Sequence, residues 1–530
     1  MKGRPKVLVI GLDGATWDLI KPWAEEGKLP NIKRLMDGGV YGNLESVQPP
    51  STGPAWTSFV TGKVPINHCL YDFVSIQKSL IGCFKPVTKK YINSKTLEEM
   101  LEKNGLRSIL INLPYSYPPR TNDIILPSFV DPDKAIHPSD IVEKYPYLKY
   151  YKVFPEYYSS DNILKSIKSI RKMEEIKFNC AKILFLKEEW DFFFVLFNGS
   201  DMIQHLLFSE LLDNIHSNET QQALEYFKDV DRYINWFRSN LPHESTLFLI
   251  SDHGFRSCKI VFHINKWLES KQYLAFSTGG EIEKPNNEVK KWVKLLLYEI
   301  IKIMRKLKIL RFIKKIPINK DKILDVALTF TFDPYKTYAF ALGHGIYIHD
   351  KRFNDGIVSD EIRDSIVNKI SEDLKSLEFE GKKVIKKIHF IKISHEGYIF
   401  PDIEVYPQDD VCISPDVRAN LKVVLSPYIF EKRIINQHDF NGILLAYGSD
   451  IKKGEKVDAK IYDIAPTILH IFGLPIPNDM DGRVLMEIFK PDSEIAKRRP
   501  VYVDPSYYRK DTEKERLKLK IKELKLKGKI

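Results

Sequence analysis

The sequence predicts an α/β fold in which a mostly parallel central sheet is flanked by helices, with a cap domain inserted into it. The first observation is a set of three short apolar runs, at residues 7–12, 192–197 and 247–250. Continuous runs of this length are typical of strands buried on both faces, as in a sheet covered by helices. A long central region without comparable polar motifs, at residues 266–400, indicates the insertion.

A βαβ unit supports the same fold class. Residues 96–104 form an amphipathic helical pattern that ends at Gly105, and residues 109–112 form the next apolar run. Glycine directly after a helical pattern is a common helix stop, and strands joined through a helix pair in parallel. We therefore expect the first strand, at 7–12, and the strand at 109–112 to lie parallel in one sheet, with the helix as the connection between them.

Acidic side chains follow each of the three apolar runs. Asp13 comes directly after the first run, Asp201 shortly after the second, and Asp252 after the third, with His253 next to it. In open α/β sheets, ligands and catalytic groups collect beyond the carboxyl ends of the strands. We therefore expect these side chains to meet at one edge of the sheet.

Thr52 lies in a loop of prolines and glycine, Pro-Pro-Ser-Thr-Gly-Pro at residues 49–54. Residues 55–60 are predicted to begin a helix with Pro54 near its first position, where proline is favoured. Unpaired N–H groups and the positive end of the helix dipole would then face Thr52. This geometry predicts an anionic substrate.

A threonine hydroxyl is a weak nucleophile and needs a base or a metal ion to stabilise its alkoxide. The chain supplies no evident Ser/His/Asp relay, but His205 lies four residues after Asp201, and His438 precedes the apolar run 443–446 and is expected on a loop. Mixed carboxylate and imidazole ligands suit Zn²⁺, Mn²⁺ or Fe²⁺. Two such ions about 4 Å apart would clamp the attacking and leaving oxygens of an in-line displacement.

Several motifs together resemble the alkaline phosphatase superfamily, and specifically its type I phosphodiesterase/nucleotide pyrophosphatase family. The resemblance covers about residues 1–265 and 400–490. Its markers are Leu-Val-Ile-Gly-Leu-Asp-Gly at 8–14, the Thr52 segment through Thr-Gly-Lys-Val-Pro-Ile-Asn-His at 61–68, Asn-Leu-Pro-Tyr-Ser-Tyr-Pro-Pro at 112–119, Ser-Asp-His-Gly at 251–254 and Tyr-Asp-Ile-Ala-Pro-Thr at 462–467. Each motif is weak alone, whereas their order and combination are specific.

The resemblance implies a two-metal site and a covalent mechanism. It places Asp13, Thr52, Asp252 and His253 around one ion, and three further ligands, Asp201, His205 and His438, around the other. Thr52 would attack phosphorus and form a phosphothreonine that water then hydrolyses. Zn²⁺ is the preferred ion and Mn²⁺ the alternative. The chain departs from the family at Cys69, commonly glycine, and at Ala55, near an asparagine of the eukaryotic ecto-enzymes.

The residues around Thr52 separate the branches of this superfamily. Sulfatases carry a Cys or Ser followed by Pro and Arg, and alkaline phosphatases place an arginine close to their serine. Residues 49–58 contain no arginine, which favours a phosphodiester or pyrophosphate substrate. The alternatives are a phosphomonoesterase or phosphomutase on the same site, and an inactive metal-binding relative that acts through partner recognition.

The motifs and the composition predict the domain organisation. Residues 1–265 and 400–490 form the metallohydrolase core, 266–400 the inserted cap or substrate domain, and 491–530 a basic C-terminal extension. Residues 289–315 form a basic amphipathic pattern. Such a helix can lie on an anionic membrane surface, but packing within the cap is favoured because amphipathicity is typical of any surface helix.

Composition limits the other function classes. The chain has 530 residues and a formal net charge of +11, yet it shows no recognised nucleic-acid module, and its excess charge suits a small anionic phosphoester substrate.

The chain contains no uncharged apolar stretch of transmembrane length, and the first strand follows the N-terminus too closely for a signal peptide. Five scattered cysteines are typical of reduced thiols. These features predict a cytoplasmic protein.

Overall fold

The structure is a computed structural model that describes residues 4–76, 78–80, 84–276, 332–392, 395, 397–414 and 428–509. The contacts divide the chain into two compact units, one from the described residues within Met1–Phe73, Val87–Lys259 and Ile434–Ile530, the other from those within Val74–Pro86 and Ile260–Arg433. No helix in these described ranges combines the length and apolar character needed to cross a membrane.

The described chain alternates strands and helices. Its strands, in chain order, are β1 (Lys6–Leu12), β2 (Val40–Glu45), β3 (Val74–Ile76), β4 (Phe84–Pro86), β5 (Ser108–Ile111), β6 (Ile124–Leu126), β7 (Phe192–Phe197), β8 (Ser245–Ile250), β9 (Gly254–His263), β10 (Ala339–Leu342), β11 (Gly345–Ile348), β12 (Glu378–Phe379), β13 (Lys382–Lys383), β14 (Ile385–Phe390), β15 (Ile403–Pro407), β16 (Val411–Ser414), β17 (Phe430–Asp439), β18 (Asn441–Gly448), β19 (Glu455–Lys456), β20 (Ala459–Lys460), β21 (Ile476–Pro477) and β22 (Tyr502–Val503).

The helices complete the architecture. They are α1 (Trp17–Glu25), α2 (Pro30–Gly38), α3 (Thr52–Thr61), α4 (Pro65–His68), α5 (Leu97–Lys103), α6 (Ile141–Lys144), α7 (Ile163–Lys187), α8 (Gly199–Leu212), α9 (Asn218–Asn240), α10 (Ile264–Ser270), α11 (Asp360–Lys375), α12 (Ile464–Ile471), α13 (Glu494–Lys497) and α14 (Ser506–Arg509). Short 3₁₀ helices lie at Lys89–Tyr91, Pro146–Tyr150, Ile461–Asp463 and Met486–Ile488.

The first unit is built on a nine-stranded sheet of order β19-β2-β18-β8-β1-β7-β5-β6, with β20 also paired to β2. Its pairings are parallel except those of β18, which runs antiparallel to both β8 and β2. This sheet confirms the predicted α/β class. The helix and the second strand of the expected βαβ unit are present, because α5 and β5 lie within one residue of the predicted ranges and α5 begins with a Thr96/Glu99 capping box. β5 is parallel to β1, but β7 lies between them in the sheet, and further helices and strands separate β1 from α5 in the chain.

Helices cover both faces of this sheet. In β1, Leu8, Ile10 and Leu12 pack into the apolar layer formed with α1, α2, α7, α8 and α9, whereas Val7 and Val9 pack into the layer formed with α3, α5 and α12. Side chains alternate between the two faces of a strand, and both faces of β1 are buried. The continuous apolar run in the sequence therefore reflects burial on two sides.

Three neighbouring strands of this sheet position the candidate site. β1 lies between β7 and β8, and Gly11 of β1 is in register with Leu196 of β7 and with Ile250 of β8. Because the three strands are parallel and in register, their carboxyl ends reach the same edge together. The polar segments that follow them are thus brought side by side.

The second unit contains an antiparallel sheet of order β10-β11-β15-β14, together with α11 and a separate apolar core. A buried charge network holds three of its segments. Arg352 donates to Asp350 at 2.8 Å and to Asp402 at 2.6 Å, and Arg363 donates to both of the same carboxylates. The two aspartates are 2–3% exposed, so each depends on the arginines for compensation of its charge.

Replacing Asp402 with alanine is expected to lower the free energy of unfolding by about 2–3 kcal/mol, because it leaves two half-buried arginines competing for Asp350. Urea unfolding followed by circular dichroism measures this loss. The control is Lys351→Ala, which removes the exposed pair with Asp360 and is expected to change stability by less than about 0.5 kcal/mol. An equal loss of unfolding free energy in Asp402→Ala and Lys351→Ala would contradict a stabilising role of the buried charge network.

Some sequence predictions fall on residues outside the described ranges. They are the basic amphipathic pattern at 289–315 and the part of the C-terminal extension beyond residue 509. The division into a core at 1–265 and 400–490, a cap at 266–400 and an extension at 491–530 stays a prediction. The described part of the extension contains α13, β22 and α14.

Candidate metal centre

The strand ends bring most of the predicted ligands together. Asp13 follows β1, and Asp252 and His253 follow β8. Asp201 lies in the first turn of α8, which follows β7, and His205 lies one turn further along the same helix. The Gly14 N–H donates to Asp252 Oδ1 at 3.1 Å and so ties the first segment to the third.

Thr52 is the first residue of α3, with Ser51 as the N-cap residue. The expected start, with Pro54 near the first helical position, is therefore too late, since Pro54 is the third residue of the helix. Proline is tolerated there because the N–H groups of the first turn have no partner within the helix. The first intrahelical hydrogen bond runs from the Ala55 N–H to the Ser51 carbonyl at 3.0 Å.

The Thr52 hydroxyl faces the strand-end residues, and Thr52 as a whole is 5% exposed. Its Oγ1 lies 3.4 Å from Asp13 Oδ1 and 3.3 Å from His253 Nε2. Both distances suit a hydroxyl held among prospective metal ligands. The hydroxyl at the N-terminus of α3, the Asp13 carboxylate and the His253 imidazole therefore meet at one point.

His438 reaches the site from a strand, and the prediction that it lies on a loop was wrong. It belongs to β17, whose residues are mostly exposed or half-buried. A strand of this kind has no continuous apolar run, so the apolar-run criterion that found the buried strands missed it. His438 Nε2 lies 3.1 Å from Asp201 Oδ1.

The ligand atoms form two overlapping groups. Asp13, Asp252 and His253 offer atoms within 4.8 Å of one another, and so do Asp201, His253 and His438. His205 Nε2 extends the second group, at 3.4 Å from Asp201 Oδ1 and 3.1 Å from His438 Nε2. Within the first group, His253 Nε2 lies 3.3 Å from Asp252 Oδ2 and 3.5 Å from Asp13 Oδ1, and the same residue joins the two groups.

All three histidines turn the same ring nitrogen toward the site. The Nδ1 atom of His205 lies 3.3 Å from the Asn436 carbonyl, that of His253 lies 3.0 Å from the Gly254 carbonyl, and that of His438 lies 3.0 Å from the Pro50 carbonyl. A carbonyl oxygen only accepts, so each Nδ1 carries the proton. In the neutral form of each ring the Nε2 lone pair is then directed into the site, which is the usual arrangement of metal-binding histidines.

These lone pairs test whether a metal ion fits the site. The Nε2 atoms of His205 and His438 lie 3.1 Å apart, so in their neutral forms the two rings present lone pairs to each other. In the same place Asp201 Oδ1 and Asp252 Oδ2 are buried oxygens whose polar neighbours are these histidine Nε2 atoms and that of His253. Converging lone pairs and buried carboxylate oxygens are electrostatically unfavourable unless a cation lies between them. The residues therefore fit divalent ions with mixed nitrogen and oxygen ligands.

The carboxylates of Asp13 and Asp252 show the same need for positive charge. Burial, reinforced by the Asp252 and Asp201 carboxylates, raises the pKa of Asp13 well above its usual range. Burial also raises the pKa of Asp252 to about 8, with a further contribution from Asp201. Bound divalent ions would reverse these shifts, because an adjacent cation favours the ionised carboxylate.

Two serines to which no role was predicted, Ser200 and Ser251, support the turn after β1. Ser200 Oγ donates to the Asp13 carbonyl at 2.6 Å, and Ser251 Oγ donates to the Ala15 carbonyl at 2.7 Å. Each precedes a predicted ligand, as Ser200-Asp201 and Ser251-Asp252, and this repeated Ser-Asp pair was the available signal. Gln204 adds a third bond, from Nε2 to the Gly14 carbonyl at 2.8 Å.

His68, which ends the Thr-Gly-Lys-Val-Pro-Ile-Asn-His motif, has a structural role. Its Nδ1 accepts from the Leu70 N–H at 3.1 Å, and its Nε2 therefore donates to Ser58 Oγ at 2.9 Å. These bonds tie the turn after α4 to α3. The ring is fully buried, and this burial lowers the pKa of His68 to about 3.

Acidification is expected to destabilise the protein through His68. The folded-state pKa of about 3 lies below the unfolded value of 6.5, so unfolded chains take up a proton that folded chains do not. The stability that the neutral ring contributes is complete above pH 6.5 and falls as the pH drops toward 3, by up to about 1.4 kcal/mol per pH unit. Calorimetric unfolding of metal-free protein at pH 4–7 is expected to give a flatter profile for His68→Gln than for the wild type. Parallel profiles would contradict this role.

Comparisons with known proteins are consistent with this architecture. A family model described as type I phosphodiesterase/nucleotide pyrophosphatase matches residues 7–311, more than half of the chain. No curated protein matches the sequence of this chain. Among solved structures, the chain is similar to phosphonoacetate hydrolase from Sinorhizobium meliloti 1021 in complex with phosphonoformate, at 12% identity and a TM-score of 0.51, over 89% of this chain and 95% of that one.

Human ectonucleotide pyrophosphatase/phosphodiesterase 5 also matches, at 13% identity and a TM-score of 0.46, over 88% of this chain and 95% of that one. The likeness to phosphonoacetate hydrolase shows a shared α/β fold, and the family model covers the segments that carry Asp13, Thr52, Asp201, Asp252 and His253. The chain therefore belongs to the type I phosphodiesterase/nucleotide pyrophosphatase family, whose members are metal-dependent hydrolases.

Proposed function

We propose that this protein cleaves phosphodiester or pyrophosphate bonds through Thr52 and two divalent ions. One observation carries the proposal: the Thr52 Oγ1 atom lies 3.4 Å from Asp13 Oδ1 and 3.3 Å from His253 Nε2, within a cluster of histidine Nε2 atoms and buried carboxylate oxygens. Zn²⁺ is the proposed ion and Mn²⁺ the alternative, since both accept aspartate and histidine ligands.

The geometry supports a division of the ligands between two ions. Asp13, Asp252 and His253 lie with Thr52 and would hold the first ion. Asp201, His205 and His438 would hold the second, because their ligand atoms lie 3.1–3.4 Å apart. His253 Nε2 also lies within ligand range of Asp201 and His438, so the two ions would be close neighbours, as an in-line phosphoryl displacement needs.

The chemistry proposed for this chain begins at Thr52. Its hydroxyl is oriented toward Asp13 Oδ1, which accepts the hydrogen bond. Bound divalent ions would stabilise the alkoxide and neutralise the negative charge of the transition state. Thr52 Oγ1 loses its proton and bonds to phosphorus as the bond to the leaving oxygen breaks; the leaving oxygen takes up a proton, and a phosphothreonine is formed. Water then adds to phosphorus with loss of a proton, the bond to Thr52 Oγ1 breaks, and that oxygen takes up a proton to restore the hydroxyl.

The position of Thr52 at the start of α3 supports a phosphoryl substrate. The N–H groups of the first turn of α3 and the positive end of its dipole favour a negatively charged group beside Thr52. Residues 49–58 carry no arginine that would neutralise the additional charge of a monoester. A small anionic diester or pyrophosphate is therefore the proposed substrate class.

Paired chromogenic esters test the reaction. Bis(p-nitrophenyl) phosphate and p-nitrophenyl phosphate are compared on metal-depleted protein reconstituted with Zn²⁺ or with Mn²⁺. We expect turnover that depends on the added metal, with the diester preferred. A preference for the monoester would move the protein to the phosphatase or phosphomutase class. Absence of turnover with either ester, either ion and a nucleoside pyrophosphate would favour an inactive binding protein.

We also propose a cytoplasmic location. Cys69 and Cys180 are buried thiols that form no disulfide. Burial raises the pKa of Cys69 to about 11 and that of Cys180 to about 12, so neither is reactive at neutral pH. Cysteines kept as thiols are typical of a reducing compartment. Mass spectrometry of alkylated protein isolated under non-reducing conditions tests this, since disulfides would contradict it.

A further inference from the structure

A buried ion pair lies in α7, behind the helix that carries two of the predicted ligands. Glu174 and Lys177 are both fully buried, and Lys177 Nζ lies 3.1 Å from Glu174 Oε2. The two residues are separated by less than one helical turn. Burying two charges is costly and the pair alone seldom stabilises a protein, so the other contacts of the pair indicate what it does.

Glu174 binds the start of α8. Its Oε1 accepts a hydrogen bond from the Gly199 N–H at 2.7 Å, and Gly199 is the first residue of α8. The N-cap residue, Asn198, makes no capping bond with its own side chain. Glu174 thus supplies, from a neighbouring helix, the acceptor that an N-terminal helix turn usually obtains from its own cap. A carboxylate also suits the positive end of the helix dipole.

Lys177 binds the residue before this helix. Its Nζ donates to Asn198 Oδ1 at 2.6 Å, and the same oxygen accepts from Asn112 Nδ2 at 3.0 Å. Asn112 follows β5 and has a left-handed backbone, with φ 65°. The amide of Asn198 is therefore held from two sides, by α7 and by the end of a neighbouring strand.

Close packing leaves the start of α8 little freedom. A Cβ atom added at Gly199 would lie 2.6 Å from Ile170 Cγ2 and 2.9 Å from the Tyr226 hydroxyl oxygen. Asp201 follows two residues later and His205 one turn beyond it. A shift of the first turn of α8 would therefore move the carboxylate of Asp201 relative to His438, which lies on a different element.

We propose that Glu174 and Lys177 are positioning residues of the metal centre, which set the first turn of α8 and thereby the place of Asp201 and His205. This inference rests on the proposed two-metal function. Groups that orient metal ligands from behind commonly change metal affinity by about 10- to 100-fold when they are removed. The pair would act on the second ion, held by Asp201, His205 and His438, more than on the first.

A second buried ion pair provides a matched control. The side chains of Lys89 and Glu98 are 1% and 2% exposed, and Lys89 Nζ lies 2.7 Å from Glu98 Oε1. This pair joins the 3₁₀ helix Lys89–Tyr91 to α5. Neither element carries a predicted ligand. Glu174→Leu and Glu98→Leu each remove a buried carboxylate and leave a buried lysine without it. Both are expected to destabilise the protein, but only Glu174→Leu removes an acceptor from α8.

Calorimetric titration of chelator-treated protein with Zn²⁺ tests the inference, with the thermal midpoint of the metal-free protein measured in parallel. We expect Glu174→Leu to weaken the binding of one Zn²⁺ by about 10- to 100-fold, whereas Glu98→Leu leaves both affinities within about threefold of the wild type. Glu174→Gln, which keeps an oxygen acceptor for the Gly199 N–H, is expected to recover most of the affinity.

The double variant Glu174→Leu/Lys177→Leu covers the case in which the single variant does not fold. It has no unpaired buried charge, yet it still lacks the acceptor, so it is expected to bind one Zn²⁺ weakly. Wild-type affinity in this variant, or an equal loss in Glu98→Leu, would overturn the positioning role and leave the metal centre intact. A wild-type protein that binds no Zn²⁺ would instead overturn the proposed function on which the inference depends.

Discussion

Replacing Thr52 with alanine is expected to lower kcat/KM for bis(p-nitrophenyl) phosphate by about 10⁴-fold or more. The variant lacks the oxygen that would bond to phosphorus, and loss of a covalent nucleophile typically removes most of the rate enhancement. Thr52 Oγ1 is the hydroxyl that lies between Asp13 and His253. Steady-state kinetics on zinc-reconstituted protein measures the loss.

Thr52→Ser is the matched control for this variant. It keeps a hydroxyl at the N-terminus of α3 and removes only a methyl group, so it is expected to retain turnover within about two orders of magnitude. Zinc content is determined for both variants, since the aspartate and histidine ligands remain. Near wild-type rates in Thr52→Ala with normal zinc content would contradict a threonine nucleophile.

Removal of divalent ions is expected to abolish turnover and to destabilise the first unit. Without cations, the carboxylates of Asp13, Asp201 and Asp252 share one small volume with three ring nitrogens. An ion that binds only the folded state adds about 2.7 kcal/mol of stability at a concentration one hundred times its Kd. Chelation followed by metal analysis, kinetics and thermal unfolding measures both effects, and Zn²⁺ is expected to restore them.

A ligand variant separates specific binding from a general effect of the chelator. His438→Ala removes one ligand of the second ion and is expected to lose most of its turnover and part of its thermal response to Zn²⁺. Lys351→Ala, in the exposed pair with Asp360 of the second unit, is expected to respond as the wild type does. Full turnover of wild-type protein shown to be metal-free would contradict the proposed chemistry.

The strand-end part of the site could be predicted because its cause is local in sequence. β1, β7 and β8 are buried on both faces, so each is a continuous apolar run, and the polar residue after each run marks the edge of the sheet. Asp13, Asp201 and Asp252 were found in this way. Parallel pairing in register then brings them together without further information.

The remaining features depend on contacts that the sequence does not display. β17 is a largely polar strand, so the placement of His438 could not be distinguished from a loop by its apolar pattern. α3 begins at Thr52, with Ser51 in the N-cap position but without a side-chain capping bond, so neither a capping signal nor the proline marks its first residue. The role of Glu174 depends on its hydrogen bond to Gly199, which is 25 residues away in the sequence. No local sequence pattern predicts such a contact.

Anomalous diffraction from crystals of the zinc-loaded protein, recorded above and below the zinc absorption edge, locates the bound ions. We expect two zinc peaks per chain, one among Asp13, Thr52, Asp252 and His253, the other among Asp201, His205 and His438. A single peak, or peaks held by other residues with Thr52 remote from both, would contradict a two-metal site built around the threonine hydroxyl.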